Sequence, residues 1–253
     1  MTTKTYPAIA PHGPLTKVSD NVYVVPGSFK MAPGLRISLT MTIVRRESEL
    51  TIVNSMRVRP EVEEEIKALG DIKSVVRICS NHGASDEYYI DTFGATYYDL
   101  QGAAETPGAS KVPATENLVQ NGSAPPSLPD AKLLILDNLK MPDAILYLPD
   151  GGGTLISGDF IQHGIPTPHE SFLLKKVFSK LLGFNTGLLT CPPPFFKFYG
   201  KGEDFYVNVA KIMEFDFDTV ITSHGPFVKG GAKEKLKEGF DAVKRDDNLW
   251  KSP

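Results

Sequence analysis

Three short, β-branched runs each stop abruptly in residues that carry chemistry. SVVRIC leads into SNHGASDE, with His82, Asp86 and Glu87; TLIS leads into Gly158 and Asp159; DTVITS leads into His224 and Gly225. Short runs of this kind read as strands buried on both faces. Such strands need helices or a second sheet to cover them. In α/β domains, the side chains just past strand carboxyl ends converge on a common crevice.

The remaining chain supplies the other layers. LTMTIV and LTIVN flank the polar RRESE and predict a hairpin from Leu39 to Asn54, with NVYVVPG as a short strand before it. Pro60 opens the helix EVEEEIKALG and Gly70 stops it; DEYYIDTFG predicts a second helix ended by Gly94. ATYYDL, AKLLILDNL and AILYLP read as further strands, and the DGGG before TLISGD as a tight turn. EDFYVNVAKIMEF and AKEKLKEGFDAVKRD are amphipathic helices. Residues 1–20, with three prolines, predict an irregular arm. Residues 101–130, rich in Gly, Pro, Ala and Ser, predict a long surface connection. The expected organisation is a single α/β domain over residues 21–253.

Composition narrows the function. With 253 residues, 41% hydrophobic and 23% charged, the chain can bury a real core. A net charge of −3 without a basic block argues against nucleic acid as partner. No apolar run approaches membrane-span length and no signal peptide is evident, so a cytoplasmic protein without membrane contact is expected. Walker, Rossmann, GxSxG and HExxH motifs are all lacking.

Each chemical residue also has a structural reading. Asp86 and Glu87 complement the dipole of the helix they open, Asp159 after glycine suits a turn, and a histidine after a strand often caps a loop. Carboxylates and imidazoles from three separate strand ends nevertheless form a metal-ligand inventory.

In this order the segments resemble the metallo-β-lactamase-like hydrolase superfamily, and in particular its short branch. SLTMTIVRRESELTIVNS resembles its first strands and EVEEEIKALGDIKSVVRICSNHGASDE the run into its HxHxDH motif. TLISGD resembles the strand with the bridging aspartate, and DTVITSHG the final strand and histidine. The resemblance covers about Asn21 to Lys244 and implies a four-layer αββα sandwich.

The motif is degenerate. With Asp86 on the motif aspartate, His82 takes the first histidine, Ala84 the second and Glu87 the third, and LKMPDA puts Lys140 where a loop histidine is expected. The resemblance therefore implies a first metal site emptied by Ala84 and Lys140, although His82 and Asp159 remain. It implies a second site of Asp86, Glu87, Asp159 and His224 for one divalent ion, with zinc foremost and manganese or iron tolerated by so carboxylate-rich a set. The implied activity is hydrolysis of a small-molecule ester, thioester, lactone, lactam or phosphoester. Asp86 or Asp159 would then orient or deprotonate water, and His82 or Lys140 would donate a proton. The alternatives are a non-catalytic relative whose decayed site binds a ligand or partner, and an iron-based oxidoreductase. A dinuclear iron centre would need the imidazoles that Ala84 and Lys140 replace. Lys140 paired with Asp159 would favour the binding module; Lys140 turned away, with His163 or His169 folded in, would favour the enzyme.

Other features read as structural first. His163 and His169 suit a surface loop, and Cys79 a buried apolar position. Cys191 has no acid or histidine partner evident in sequence. The apolar face of residues 172–182 and the loop CPPPFFKFYG suit core packing or a homodimer surface, and only secondarily a lid.

Overall fold

The computed structural model describes residues 4–105, 112–118, 123–171, 187–192, 195 and 202–245. Two sheets stack face to face. In the first, β1 (Thr16–Lys17), β2 (Val22–Ala32), β3 (Leu35–Arg46), β4 (Glu49–Val53), β5 (Asp71–Arg77), β6 (Thr96–Leu100) and β7 (Glu116–Leu118) lie side by side in chain order. In the second, β8 (Lys132–Ile135), β9 (Ala144–Leu148), β10 (Thr154–Ser157), β13 (Thr219–Thr222) and β14 (Val228–Lys229) follow the same rule. Short β11 (Gln162–His163) and β12 (Leu189–Thr190) form a separate pair.

Strand periodicity assigns the layers. In β9, Ala144, Leu146 and Leu148 face the core between the sheets, while Ile145 and Tyr147 face the outer core of the second sheet. Neighbouring Val75 and Val76 of β5, and Val220 and Ile221 of β13, likewise divide between inner and outer cores. Helices α1 (Pro60–Lys67) and α2 (Asp86–Phe93) cover the first sheet through Val62, Ile66 and Tyr89. Helices α3 (Gly202–Met213) and α4 (Ala232–Arg245) cover the second through Phe205, Ile212, Leu236 and Phe240. The order is α–β–β–α, the four-layer sandwich expected from the sequence. No helix among the described residues is long and apolar enough to cross a membrane.

Three elements differ from expectation. The β2–β3 hairpin runs on to Ala32 and Leu35, straight through Pro26. Proline is tolerated there because the edge of β2 away from β3 meets the N-terminal arm, where Gly13 N–H donates to the Pro26 carbonyl. Thr16–Lys17, inside the expected arm, pairs with β2, and Glu116–Leu118, inside the expected connection, pairs parallel with β6. Both are edge strands too short for an alternating pattern to register. The apolar face of residues 172–182 lies outside the described residues, as does the CPPPFFKFYG loop apart from Cys191, Pro192 and Phe195.

At one end the two sheets are joined by backbone bonds. Thr40 N–H donates to Ser223 O (2.9 Å) between β3 and the turn after β13. Ala144 N–H donates to Ile78 O (2.8 Å), and Ser80 N–H to Pro142 O (3.0 Å), where the chain leaving β5 crosses to β9. Arg77, the last residue of β5, is fully buried; its guanidinium grips both oxygens of Asp99 on β6 and donates to the His82 carbonyl (3.3 Å). Removing one partner of such a pair strands a charge. Arg77→Met is therefore expected to lose about 3–5 kcal/mol of stability in urea unfolding, and Arg77→Met with Asp99→Leu distinctly less. Equal losses in the single and double variants would contradict this account.

Candidate metal centre

Strands β10 and β13 are parallel neighbours with Ser157 opposite Thr222. Asp159 and His224 each lie two residues beyond that pair, so strand register carries both to the same end of the sheet. Gly158 is needed on the way. A Cβ there would lie 2.2 Å from Asp143 Oδ1 and 2.5 Å from the Cys79 Cβ. Gly225, after His224, has φ +88° and sits against the His163 carbonyl. His82 arrives from the other sheet, on the loop after β5.

These three side chains meet on one carboxylate oxygen. His82 Nε2 is 3.0 Å and His224 Nε2 is 2.8 Å from Asp159 Oδ1, while Asn81 Nδ2 donates to Asp159 Oδ2 at 2.8 Å. The imidazole rings pack edge to face, 5.3 Å between centroids. His224 Nδ1 lies 2.6 Å from the Ser38 carbonyl of β3. That carbonyl can only accept, so Nδ1 carries a proton and Nε2 is the nitrogen turned toward Asp159. His82 Nδ1 is buried and lacks a hydrogen-bond partner.

Charge follows this geometry. Burial pushes the Asp159 carboxyl up, but the His82 and His224 imidazoles outweigh it and hold Asp159 well below the ordinary carboxylate range. Burial lowers His224, and the Asp159 carboxylate outweighs that, so its ring is held above the usual histidine value. Asp143 lies beneath. Its carboxylate accepts from the backbone N–H groups of Ala144, Asp159 and Phe160 (2.8–2.9 Å). Burial and the neighbouring Asp159 charge push Asp143 up, with those N–H groups opposing.

Of the residues singled out in the sequence, His82, Asp159 and His224 come together and the others do not. Glu87 is a correction: on the outer side of α2 it pairs with Lys4 at 2.7 Å and is 39% exposed, because one helical step past Asp86 turns the side chain away from the sheets. Asp86 is fully buried, with Oδ1 accepting from the Ser55 hydroxyl (2.5 Å), and its partners lie under the loop. Burial raises its pKa, against Ser55 and Arg77. Its second carboxylate oxygen, Oδ2, is buried without a hydrogen-bond partner. Lys140 is exposed on the β8–β9 connection and is not among the groups hydrogen-bonded to the Asp159 carboxylate. His163 Nδ1 is held by the Pro226 carbonyl (2.8 Å), and His169 lies near Gly13 of the arm.

Sequence reasoning passed over Asn81, Asp143 and Ser38, and read Cys79 as apolar. Asn81 adjoins His82 and Asp143 lies within LKMPDA, so proximity to the motif was the available signal. Ser38 acts through its carbonyl on His224 and through its hydroxyl, which accepts from the Gly225 N–H (3.1 Å).

The residues present fit a divalent ion. Two imidazoles and one carboxylate converge, and the Ser38 carbonyl behind His224 sets its tautomer as metal-ligating histidines require. Cys79, His82 and Asp159 each place a ligand-type atom within 4.8 Å of the others. This donor set is poorer in carboxylate than Asp86, Glu87, Asp159 and His224 would be.

Two outcomes check the geometry. Glu87→Gln should leave metal content unchanged and alter stability by no more than about 1 kcal/mol, as for any exposed pair; loss of metal in elemental analysis would return Glu87 to the site. In metal-free protein, the raised His224 value contributes stability below the unfolded imidazole value of about 6.5, lost as pH rises through the folded one. The lowered Asp159 value contributes above the unfolded carboxyl value of about 3.9, lost as pH falls through the folded one. Chelator-treated protein should therefore be most stable between those two pH values in denaturant titrations, and Asp159→Asn should flatten the profile.

The sequence matches no protein-family model and no curated protein. Solved structures do match. DIM-1 metallo-β-lactamase aligns over 94% of this chain and 100% of its own, with a TM-score of 0.63 at 12% identity. FIM-1 metallo-β-lactamase from Pseudomonas aeruginosa, solved in its mono-zinc form, aligns over 94% and 99%, with a TM-score of 0.61 at 14% identity. A metallo-β-lactamase from Hirschia baltica aligns over 88% and 94%, with a TM-score of 0.58 at 14% identity. Together with the α–β–β–α order and the strand-end site, these likenesses establish that the chain has the metallo-β-lactamase fold.

Proposed function

We propose that this protein is a member of the metallo-β-lactamase-like superfamily acting as a hydrolase with one divalent ion, zinc foremost, held by His82, Asp159 and His224. The observation that carries this reading is the approach of two imidazole nitrogens, 3.0 and 2.8 Å, to the same oxygen of Asp159. Its substrate class is a small molecule with a hydrolysable carbonyl: an ester, thioester or lactone. When bound, the ion supplies Lewis acidity and a more acidic water.

The chain's own residues do the rest. Asn81 fixes Asp159 by holding Oδ2, leaving Oδ1 for the site. The Ser38 carbonyl keeps the His224 ring oriented with Nε2 inward. His82 and Asp159 are 2% and 8% exposed at their side chains, so bulk water is largely excluded and charge interactions inside are strengthened. His224, at 14%, is the most open of the three.

A second reading, a non-catalytic ligand-binding relative, has one observation in its favour. The Asp159 carboxylate already has three partners from its own chain, so that carboxylate is satisfied without an ion.

Elemental analysis of the purified protein decides between them. About one equivalent of zinc is expected, falling to background in Asp159→Ala, with Ala84→His binding zinc more tightly than the parent. The loaded protein should hydrolyse at least one of an ester, thioester or lactone panel, and Asp159→Ala none. No metal retained after dialysis against Zn²⁺, Mn²⁺ or Fe²⁺ would overturn the enzyme reading and leave the binding module.

A further inference from the structure

We propose that Cys79 is a fourth ligand, completing a set of Cys79, His82, Asp159 and His224 that selects zinc. This rests on the metal reading above and adds a residue to it. The Cys79 sulfur and the ligand-type atoms of His82 and Asp159 all lie within 4.8 Å of one another. Bonds of about 2.3 Å to sulfur and 2.1 Å to nitrogen place two tetrahedral ligands roughly 3.6 Å apart, so Cys79, His82 and Asp159 need to close by no more than about 1 Å, and His224 joins them through its contact with Asp159.

Position supports the assignment. Cys79 follows β5 at the isolated bridge to Asp143, where the two sheets are joined, and its Cβ lies against Gly158 in the strand end that carries Asp159. Cys79 is 2% exposed. A cysteine that merely fills apolar space has apolar neighbours. Here the Cys79 Cβ and the Asp143 carboxylate both crowd Gly158, and the thiol has a ligand-type atom of Asp159 within 4.8 Å. With a divalent ion bound, the S–H bond breaks, the proton leaves to solvent, and sulfur donates its electron pair to the ion. A soft thiolate together with imidazole ligands favours zinc over magnesium, calcium or manganese.

Cobalt substitution tests this without any substrate. Cobalt(II) bound to thiolate gives a near-ultraviolet charge-transfer band, separate from the visible ligand-field bands of any tetrahedral cobalt site. The full-length protein, Cys79→Ser and Cys191→Ser would each be titrated with Co²⁺. The expected result is both sets of bands in the parent and in Cys191→Ser, and loss of the charge-transfer band alone in Cys79→Ser. The chain has two cysteines, so a charge-transfer band in Cys191→Ser assigns it to Cys79 even if Cys79→Ser fails to fold. Ligand-field bands without charge transfer in the parent, or charge transfer persisting in Cys79→Ser, would overturn the role of Cys79 and leave the other three ligands standing. Neither kind of band in any protein would overturn the metal reading itself.

Discussion

A single buried carboxylate, Asp143, organises the end of the molecule where the chemistry collects. It takes the backbone N–H groups of Asp159 and Phe160 on one oxygen and of Ala144 on the other. That binds the turn after β10 to the start of β9 and fixes where Asp159 must emerge. The closeness of this contact explains why Gly158 has no side chain. The bridge between Asp143 and Cys79 then brings the end of β5, from the opposite sheet, within reach of the same turn. An unpaired carboxylate at this depth would be strongly destabilising. Three N–H donors make it tolerable, and they do so only while the turn keeps its shape.

Around that anchor runs a polar seam between two apolar layers. Asn54 donates to the Ser223 hydroxyl, which donates to the Ser157 carbonyl, and Ser55 donates to Asp86. Arg77 and Asp99 close the far side. Most of these groups are buried, so each depends on its neighbour for a partner. The seam makes the loop carrying His82 a consequence of packing beneath it. Glu87 lies on the same stretch of chain, yet its side chain is held by Lys4 on the outer side of α2.

Much of this fold was legible because strand periodicity, proline at a helix start and glycine at helix ends are local signals. Val75 and Val76, adjacent and both apolar, already imply a strand covered on both sides. Asp159 and His224 were legible for the same reason, since each directly follows such a strand. Glu87 was misread because motif spacing says nothing about which way a helix turns, and α2 carries it to Lys4 on the surface. Asp86 was misread in depth: a sequence cannot show that Ser55 and Arg77 enclose it. Lys140 stands exposed and apart from the partners of Asp159, because alignment onto a loop histidine presumes the loop geometry. In this chain Asp143, three residues on, is the loop residue that reaches the centre. The edge strands Thr16–Lys17 and Glu116–Leu118 are held by their neighbours rather than by their own pattern, which is why composition alone described them as arm and connection.

The bond from His224 to the Ser38 carbonyl spans the two sheets, since His224 follows β13 and Ser38 belongs to β3. Orientation of the imidazole is therefore a property of the docked sandwich and of neither sheet alone. Anything that binds at His224 and at His82 together must favour the docked arrangement over any in which the sheets part, by the full margin of its differential affinity. Release of such a ligand and local parting of the sheets at this end become one coupled event. Occupancy of the centre would then govern how rapidly backbone amides near Thr40 and Ala144 exchange with solvent, making this rim the part of the molecule whose breathing is set by what it holds.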